Sequence, residues 1–396
     1  MPMHNLASSY GQQLVDVVVP FWTEHALDRE MGGYFTFLDR KGQVYGTDKY
    51  VWLQARQVWM FSKLYNAFES RPEWLEVARQ GYAFLEAHAF DADGRVFFAL
   101  TRDGRPLRKR RYLFSETFAA IACSEYARAS GDEAALERAR ATFRLLWRLY
   151  RTAGALEPKI DPRTRRCKAL AMPMVLLATT HEMRLADGDD PLYRQVVEHS
   201  LDEIRGQFLR RDECVLFETV GAGGERLDTP EGRCINPGHE IEASWFLMRE
   251  GVRRDDQDIL RDALDILDWS LARGWDVAYG GLYSFLDVQG RPPLQLEWDM
   301  KLWWPQGEAM IASLAAYALT GEQRYVDWHE RIGEYVAEHF IDREFGEWYG
   351  YLHRDGTVAL DCKGSAFKGA FHVPRTFWMC YLIALEGRAA QPWHLA

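Results

Sequence analysis

A short glycine-turned hairpin recurs along this chain at a nearly constant interval, and that recurrence limits the fold to a repeat architecture. The first copy is Gly32-Gly33-Tyr34-Phe35-Thr36-Phe37-Leu38 running on to Gly42. The second is Gly94-Arg95-Val96-Phe97-Phe98-Ala99-Leu100 running on to Gly104. A weaker third covers 154–168, a fourth 215–224, a fifth 280–290 and a sixth 348–356. Lys-Gly, Asp-Gly and Gln-Gly pairs suit the tight reversals, because glycine accepts a positive φ. The turn glycines Gly42, Gly104, Gly224, Gly290 and Gly356 stand 62, 120, 66 and 66 residues apart, the 120 being two steps across the weak third unit.

Between the hairpins lie paired helical stretches. Leu14, Val17, Val18, Phe21 and Trp22 mark the apolar face of the first helix. Further helices are expected near 50–70, 73–90, 113–130, 132–150, 172–186, 191–209, 239–252, 256–273, 305–320, 322–339 and 371–387. Gly131 and Gly321 are expected to end two of them in tight helix–helix turns. Two helices per hairpin, repeated six times, predict an all-α (α/α)6 barrel with short β-hairpins at one mouth, spanning residues 1–396 as a single domain. Each inner helix follows a hairpin, so the inner-helix starts near 50–56, 112–116, 172–174, 237–242, 305–308 and 372–375 open at that mouth. Converging helix N-termini would stabilise an anion, including an enolate that exists only during reaction.

Charge and composition narrow the partners. The formal net charge is −10, and no Lys/Arg block is interleaved with aromatics, which argues against nucleic acid. The basic run 102–111 falls on a hairpin and reads as a solvated edge. Six cysteines are scattered without a CxxC pair, so neither a zinc site nor a disulfide framework is indicated. No apolar run reaches the ~20 residues a membrane span needs, and no signal pattern opens the chain, so a soluble cytoplasmic protein is expected. The 15 Trp are numerous enough that some are candidates for stacking on a sugar face.

The polar residues at the inner-helix starts are the site candidates. In Asn236-Pro237-Gly238-His239-Glu240-Ile241-Glu242, Asn236 is the expected cap and His239 lies near the helix N-terminus. The dipole there biases His239 toward its neutral, proton-accepting form. His372 occupies a similar position in Phe371-His372-Val373-Pro374-Arg375. Two histidines on one mouth suit a reaction in which one base removes a proton from carbon and the other returns it on the opposite face. Glu308, one inner helix from each, is a candidate to orient an imidazole or hold a hydroxyl; Glu242, one turn after His239, is another. Arg56, inside an otherwise apolar helix, and Arg375 are candidates to hold an enolate oxygen. Tyr50, Trp52, Trp303 and Trp304 are candidate sugar-stacking residues. His25, His88, His181, His199, His329 and His339 read as structural, and His353 as rim. The dipeptide His239-Glu240 has Ala243 where a zinc protease needs its second histidine, and no metal is expected. Paired carboxylates such as Glu116 and Glu308 leave open an (α/α)6 glycoside hydrolase, and a non-catalytic sugar-binding scaffold is a further alternative.

Four segments together carry a resemblance: Lys49-Tyr50-Val51-Trp52-Leu53-Gln54-Ala55-Arg56, Asn236-Pro237-Gly238-His239-Glu240, Trp303-Trp304-Pro305-Gln306-Gly307-Glu308 and Phe371-His372-Val373-Pro374-Arg375. They resemble the N-acylglucosamine 2-epimerase family, over essentially the whole chain. The resemblance implies an (α/α)6 barrel that interconverts N-acetylglucosamine and N-acetylmannosamine, with His239 and His372 as acid and base and with Arg56 and Glu308 essential. It also implies a homodimer, no consumed cofactor, and ATP as an activator that is not consumed, with the basic segment from Lys159 to Lys168 the place to look for it. Related isomerases and cellobiose 2-epimerases act on unsubstituted sugars such as mannose and cellobiose, and they carry a further histidine at the start of an inner helix. Here that start reads Ala171-Met172-Pro173-Met174, which favours the N-acyl branch.

Overall fold

In the computed structural model, which describes residues 3–109, 112–157 and 160–386, the helices alternate between an outer and an inner ring. The outer helix α1 joins Met3–Gln13, a π-helical turn Leu14–Val18 and Val19–His25. Then follow α2 (Val51–Ala67), α3 (Pro72–His88), α4 (Phe114–Ser130), α5 (Glu133–Arg151) and α6 (Ala171–Asp187). The outer helix α7 joins Pro191–Glu203 to a π-helical end, Ile204–Phe208. The rest are α8 (Pro237–Arg254), α9 (Gln257–Gly274), α10 (Trp303–Thr320), α11 (Gln323–His339) and α12 (His372–Glu386). The even-numbered helices pack on one another in a closed ring, α2–α4–α6–α8–α10–α12 and back to α2. This is the expected (α/α)6 barrel.

Burial follows the sequence pattern. In α4 every residue from Ser115 to Ala127 is buried, as an inner helix packed on all sides requires. In α5 only one stripe, including Ala135, Ala139, Phe143 and Leu146, is buried. The caps expected from sequence are present: Asn236 accepts from His239 N at 3.1 Å, and Asp132 accepts from Ala134 N and Ala135 N. Gly131 and Gly321 end α4 and α10 at φ of 74° and 73°.

The hairpins do more than decorate one mouth. The strand leading into each of several inner helices pairs with the next unit's hairpin: Lys49–Tyr50 with Ala99–Leu100, Cys234–Ile235 with Leu286–Asp287, and Lys301–Leu302 with Tyr351–Leu352. The amides of Lys363 and Gly364 close the ring on the Leu38 carbonyl. A buried ion cluster recurs at three of these seams. Asp28 pairs with Lys49 and Arg102, Asp276 with Lys301 and Arg354, and Asp342 with Lys363 and Arg40, all within 3.1 Å. In each, the Asp and Lys belong to one unit and the Arg to the next, so the charges staple neighbouring units.

Among the described residues of 154–168, the expected third hairpin is not formed. Its segment is polar and lacks apolar alternation; Cys167–Ala169 pairs instead with Thr219–Gly221 of the fourth hairpin. Three of the histidines read as structural close outer helices and pack under a hairpin glycine of their own unit: His25 under Gly42, His88 under Gly104 and His339 under Gly356. His329 is fixed between the Tyr10 hydroxyl and the Met310 carbonyl, and His181 against Glu250. All six cysteines are free thiols. Among the described residues, no helix is long and apolar enough to cross a membrane.

Candidate active site

Three adjacent inner helices, α8, α10 and α12, bring His239, Glu308 and His372 to the mouth. Their close approach needs small residues. A Cβ on Gly238 would stand 2.5 Å from the Trp304 ring, and one on Gly307 would stand 2.3 Å from the Thr376 hydroxyl. Trp304 consequently lies between the histidines, its ring centroid 5.2 Å from His239 and 5.8 Å from His372.

Each imidazole is held by its own carboxylate. His372 Nδ1 lies 2.8 Å from Glu308 Oε1, and His239 Nδ1 lies 2.9 Å from Glu218 Oε2. A carboxylate only accepts, so Nδ1 carries the proton in both rings and the reactive position is Nε2. Glu308 Oε1 also accepts from Arg375 at 2.5 Å, which explains why Arg375 and His372 Nδ1 sit 3.3 Å apart: both donate to one oxygen. Glu308 Oε2 accepts from Trp245 Nε1 at 2.9 Å, and Arg375 also donates to Glu242 at 2.7 Å.

The two histidines are tuned in opposite directions. Burial pulls the His239 pKa down, but the charge and hydrogen bond of Glu218, aided by Glu242, outweigh it and the net shift is upward. Burial together with the charges of Arg375 and Arg56 pushes His372 well below its ordinary value, against the pull of Glu242. The neutral bias expected for His239 is therefore overturned. A helix N-terminus is worth roughly 0.3–1 kcal/mol, whereas a carboxylate in direct contact moves a pKa by about 1–3 units.

Arg56 enters the lumen from α2, caged by the rings of Phe118 (4.1 Å), Trp52 (4.5 Å) and Phe371 (4.6 Å). Its Nε has no hydrogen-bond partner among the described residues. Burial lowers its pKa to about 9, against the pull of Glu242, which still leaves a cation at neutral pH. The buried N–H groups of Trp52 Nε1 and Arg375 Nε are likewise without partners among the described residues. Deeper along the inner helices, a cavity of about 660 Å³ including its opening runs from Arg56, Glu242 and Arg375 past Phe118, Val175 and Ala178 to Glu182 and Arg249. Lys63 pairs with Glu125 and Glu182 at its floor, and Arg249 with Glu182.

His239, His372, Glu308, Glu242, Arg375, Arg56, Trp52 and Trp304 thus come together as the sequence suggests. Two candidates stand apart. Tyr50 precedes α2 and packs on Phe37 and Phe98 of the first two hairpins. Trp303 is buried with its ring against Tyr351, touching His372 only at 6.4 Å. Glu242 pairs with Arg375 rather than orienting His239. The residue that orients His239 is Glu218, which sequence reasoning passed over; the signal was a lone acid inside the apolar strand Val215-Leu216-Phe217-Glu218. Glu116 is taken up by Arg95 Nε at 2.5 Å and the Val96 amide at 3.2 Å in its own hairpin, so it does not pair with Glu308 as a hydrolase would need.

Glu242, Glu308 and His372 converge closely enough to ligate a cation, but the Arg375 guanidinium already bridges the two carboxylates there. In the basic segment suggested for ATP, the described cations have protein partners. Arg163, Arg165 and Lys168 pair with Asp161, Glu231 and Glu203, Arg166 bonds the Pro162 carbonyl, and Lys159 lies outside the described residues. In the run 102–111, Arg102 staples Asp28, and Arg110 and Arg111 lie outside the described residues.

Comparison with known proteins agrees with this geometry. Residues 33–373 match the family model of N-acylglucosamine 2-epimerase. The N-acylglucosamine 2-epimerase of Bos taurus is 42% identical over 374 residues, covering 92% of this chain and 88% of that protein. A cellobiose 2-epimerase of Ruminococcus albus is 26% identical, covering 89% and 92%. Among solved structures, the cellobiose 2-epimerase of Bacillus thermoamylovorans superposes with a TM-score of 0.84 at 21% identity over 94% of this chain and 98% of that one, a likeness of fold. With a family model covering most of its length and relatives near 40% identity, the chain belongs to the N-acylglucosamine 2-epimerase family and is an isomerase.

Proposed function

We propose that this chain interconverts N-acetylglucosamine and N-acetylmannosamine by moving a proton at C2 of the open-chain sugar. The observation that carries the reading is the pair of imidazoles, each with Nδ1 on its own carboxylate and with pKa values pushed apart. His372, neutral in the resting enzyme, is the base. Its Nε2 takes the C2 proton, the electron pair of the broken C–H bond forms the C1=C2 double bond, and the carbonyl π pair moves onto the C1 oxygen, leaving an enolate. Arg56 and the helix N-termini hold the oxygen that gains charge. His239, whose raised pKa favours the protonated form, gives its Nε2 proton to the opposite face of C2. The reverse reaction exchanges the two roles.

Support for a polar sugar comes from the orphaned donors Trp52 Nε1, Arg56 Nε and Arg375 Nε. Each would cost about 1–3 kcal/mol if left unpaired in the bound state, and sugar oxygens are acceptors of the right kind. Support for an acylated sugar comes from the apolar wall of Phe118, Val175 and Ala178 beside Arg56. An acetamido group at C2 also leaves no hydroxyl proton there to move, which excludes a ketose product. An NMR time course with N-acetylmannosamine, run beside mannose and cellobiose, tests the assignment. N-acetylglucosamine is the expected product; turnover of mannose or cellobiose alone, or a ketose, would reverse it. Running it with and without ATP tests activation, and light scattering tests the homodimer expected from the family. A cytoplasmic location is part of the same expectation.

The tuning of His239 gives a pH prediction. Because its pKa is raised, the acid form persists above the ordinary histidine range and is lost as pH rises through that raised value. Glu218→Gln removes the charge that raises it. The alkaline limb of kcat/KM for the direction that starts on His372 is expected to move to lower pH, with kcat falling about tenfold. An unmoved limb would remove His239 from the acid role.

A further inference from the structure

The sixfold repeat exposes a residue whose role is legible only by comparing units. In the first unit, Gln54 Oε1 accepts from the Tyr34 amide at 2.8 Å and its Nε2 donates to the Tyr34 carbonyl at 2.9 Å. In the fifth, Gln306 does the same with Leu282, at 3.1 and 3.3 Å. In the fourth, Glu240 accepts from the Leu216 amide at 2.9 Å, and its second oxygen, Oε2, is buried and accepts no hydrogen bond of good geometry among the described residues. The three positions are equivalent. Tyr34, Leu282 and Leu216 each face the residue beyond an outer helix, and the following amide pairs back in each: Phe35 to Ala26, Tyr283 to Gly274 and Phe217 to Phe208. That register turns both backbone groups of the intervening residue toward the inner helix. The second unit carries a glutamate as well, Glu116, but Arg95 neutralises it.

We propose that Glu240 is a positioning residue for His239: it works as a neutral carboxylic acid, a proton on Oε2 standing in for the amide hydrogen of Gln54 and Gln306, and so fixes the hairpin that presents Glu218. The contacts form a closed circuit. Glu240 adjoins His239 in α8, Leu216 lies two residues before Glu218, and Glu218 returns to His239 Nδ1 at 2.9 Å. The surroundings suit a neutral acid. From α9, the Ser270 hydroxyl donates to the Ile266 carbonyl and stands beside the Glu240 carboxyl, and Arg273 donates to the Cys214 and Glu213 carbonyls. The hairpin contributes the like charge of Glu218, and the strand before α8 contributes the Cys234 thiol. Burial raises the Glu240 carboxyl to about 7; the Leu216 amide, Arg273 and Ser270 pull it down, and Glu218 pushes it up. The inference rests on the reading of His239 as the acid, and it adds a second titration on the alkaline side: as Glu240 ionises, the Leu216 carbonyl loses its donor.

The test compares Glu240→Gln with Glu240→Ala in the full chain, using the His239 titration read by NMR of labelled histidine and the pH profile of kcat/KM. Glu240→Gln is expected to keep the raised His239 titration and to remove the Glu240 contribution to the alkaline limb. Glu240→Ala is expected to lower the His239 pKa and to cut kcat about tenfold or more. A glutamine variant as impaired as the alanine variant would overturn the proposal, as would an unmoved His239 titration in the alanine variant. Should the alanine variant fail to fold, difference infrared spectra decide. A protonated-carboxyl band present in the wild type and absent in Glu240→Gln supports the proposal, and no such band in the wild type overturns it. The histidine and infrared readouts need no substrate, so failure on N-acyl sugars would count against the function and leave this inference standing.

Discussion

Replacing either His239 or His372 with alanine is expected to lower kcat by about 10²–10⁴-fold, the range that a positioned acid or base contributes. The loss resides at Nε2, because Nδ1 of each ring is committed to Glu218 or Glu308. Substrate binding has other donors, including Arg56 and Arg375, so KM is expected to change far less than kcat. Both variants are expected to lose net interconversion in both directions, because each direction needs one histidine as base and the other as acid. Interconversion near the wild-type rate in either single variant would refute the two-base account.

Arg56→Met is expected to separate catalysis from stability. The guanidinium is surrounded by three aromatic rings and makes no ion pair among the described residues, so its desolvation is only partly offset by cation–π contacts. Methionine fills most of the same space and suits an aromatic cage. Tm is therefore expected to hold or rise. If Arg56 holds the enolate oxygen, kcat is expected to fall about 10²–10³-fold, as when one oxyanion donor is removed. A buried cation kept at a cost to folding is what a site built for a transient anion requires. Near-normal kcat in a folded Arg56→Met protein would take Arg56 out of the reaction.

The barrel was legible because its punctuation is local. The turn glycines Gly42, Gly104, Gly224, Gly290 and Gly356 all have positive φ, and the Asn236 cap, Gly131 and Gly321 act within a few residues of their own position. Alternation placed the inner-helix starts at one mouth, and with them His239, Glu308 and His372. What escaped depends on partners distant in sequence. Glu218 meets His239 across 21 residues, and the Asp342–Arg40 staple spans 302. Neither contact leaves a periodic trace. The His239 error has the same origin: its dipole is a local feature, visible in the cap sequence, while the stronger influence comes from Glu218, 21 residues earlier in the hairpin of the same unit. Glu240 shows the converse, since its meaning emerges once Gln54 and Gln306 occupy the same place in their own units.

The central claim is that two histidines serve opposite faces of C2, and an isotope experiment in heavy water tests it most directly. The wild-type protein is incubated with protiated N-acetylmannosamine, and early in conversion both the product and the remaining substrate are analysed for deuterium at C2. Two bases predict deuterium at C2 of the N-acetylglucosamine formed, delivered by whichever histidine, equilibrated with solvent, acts as the acid in that direction, while the recovered N-acetylmannosamine stays largely protiated. Protium carried from substrate into product would mean that a single base works both faces, and it would contradict the account.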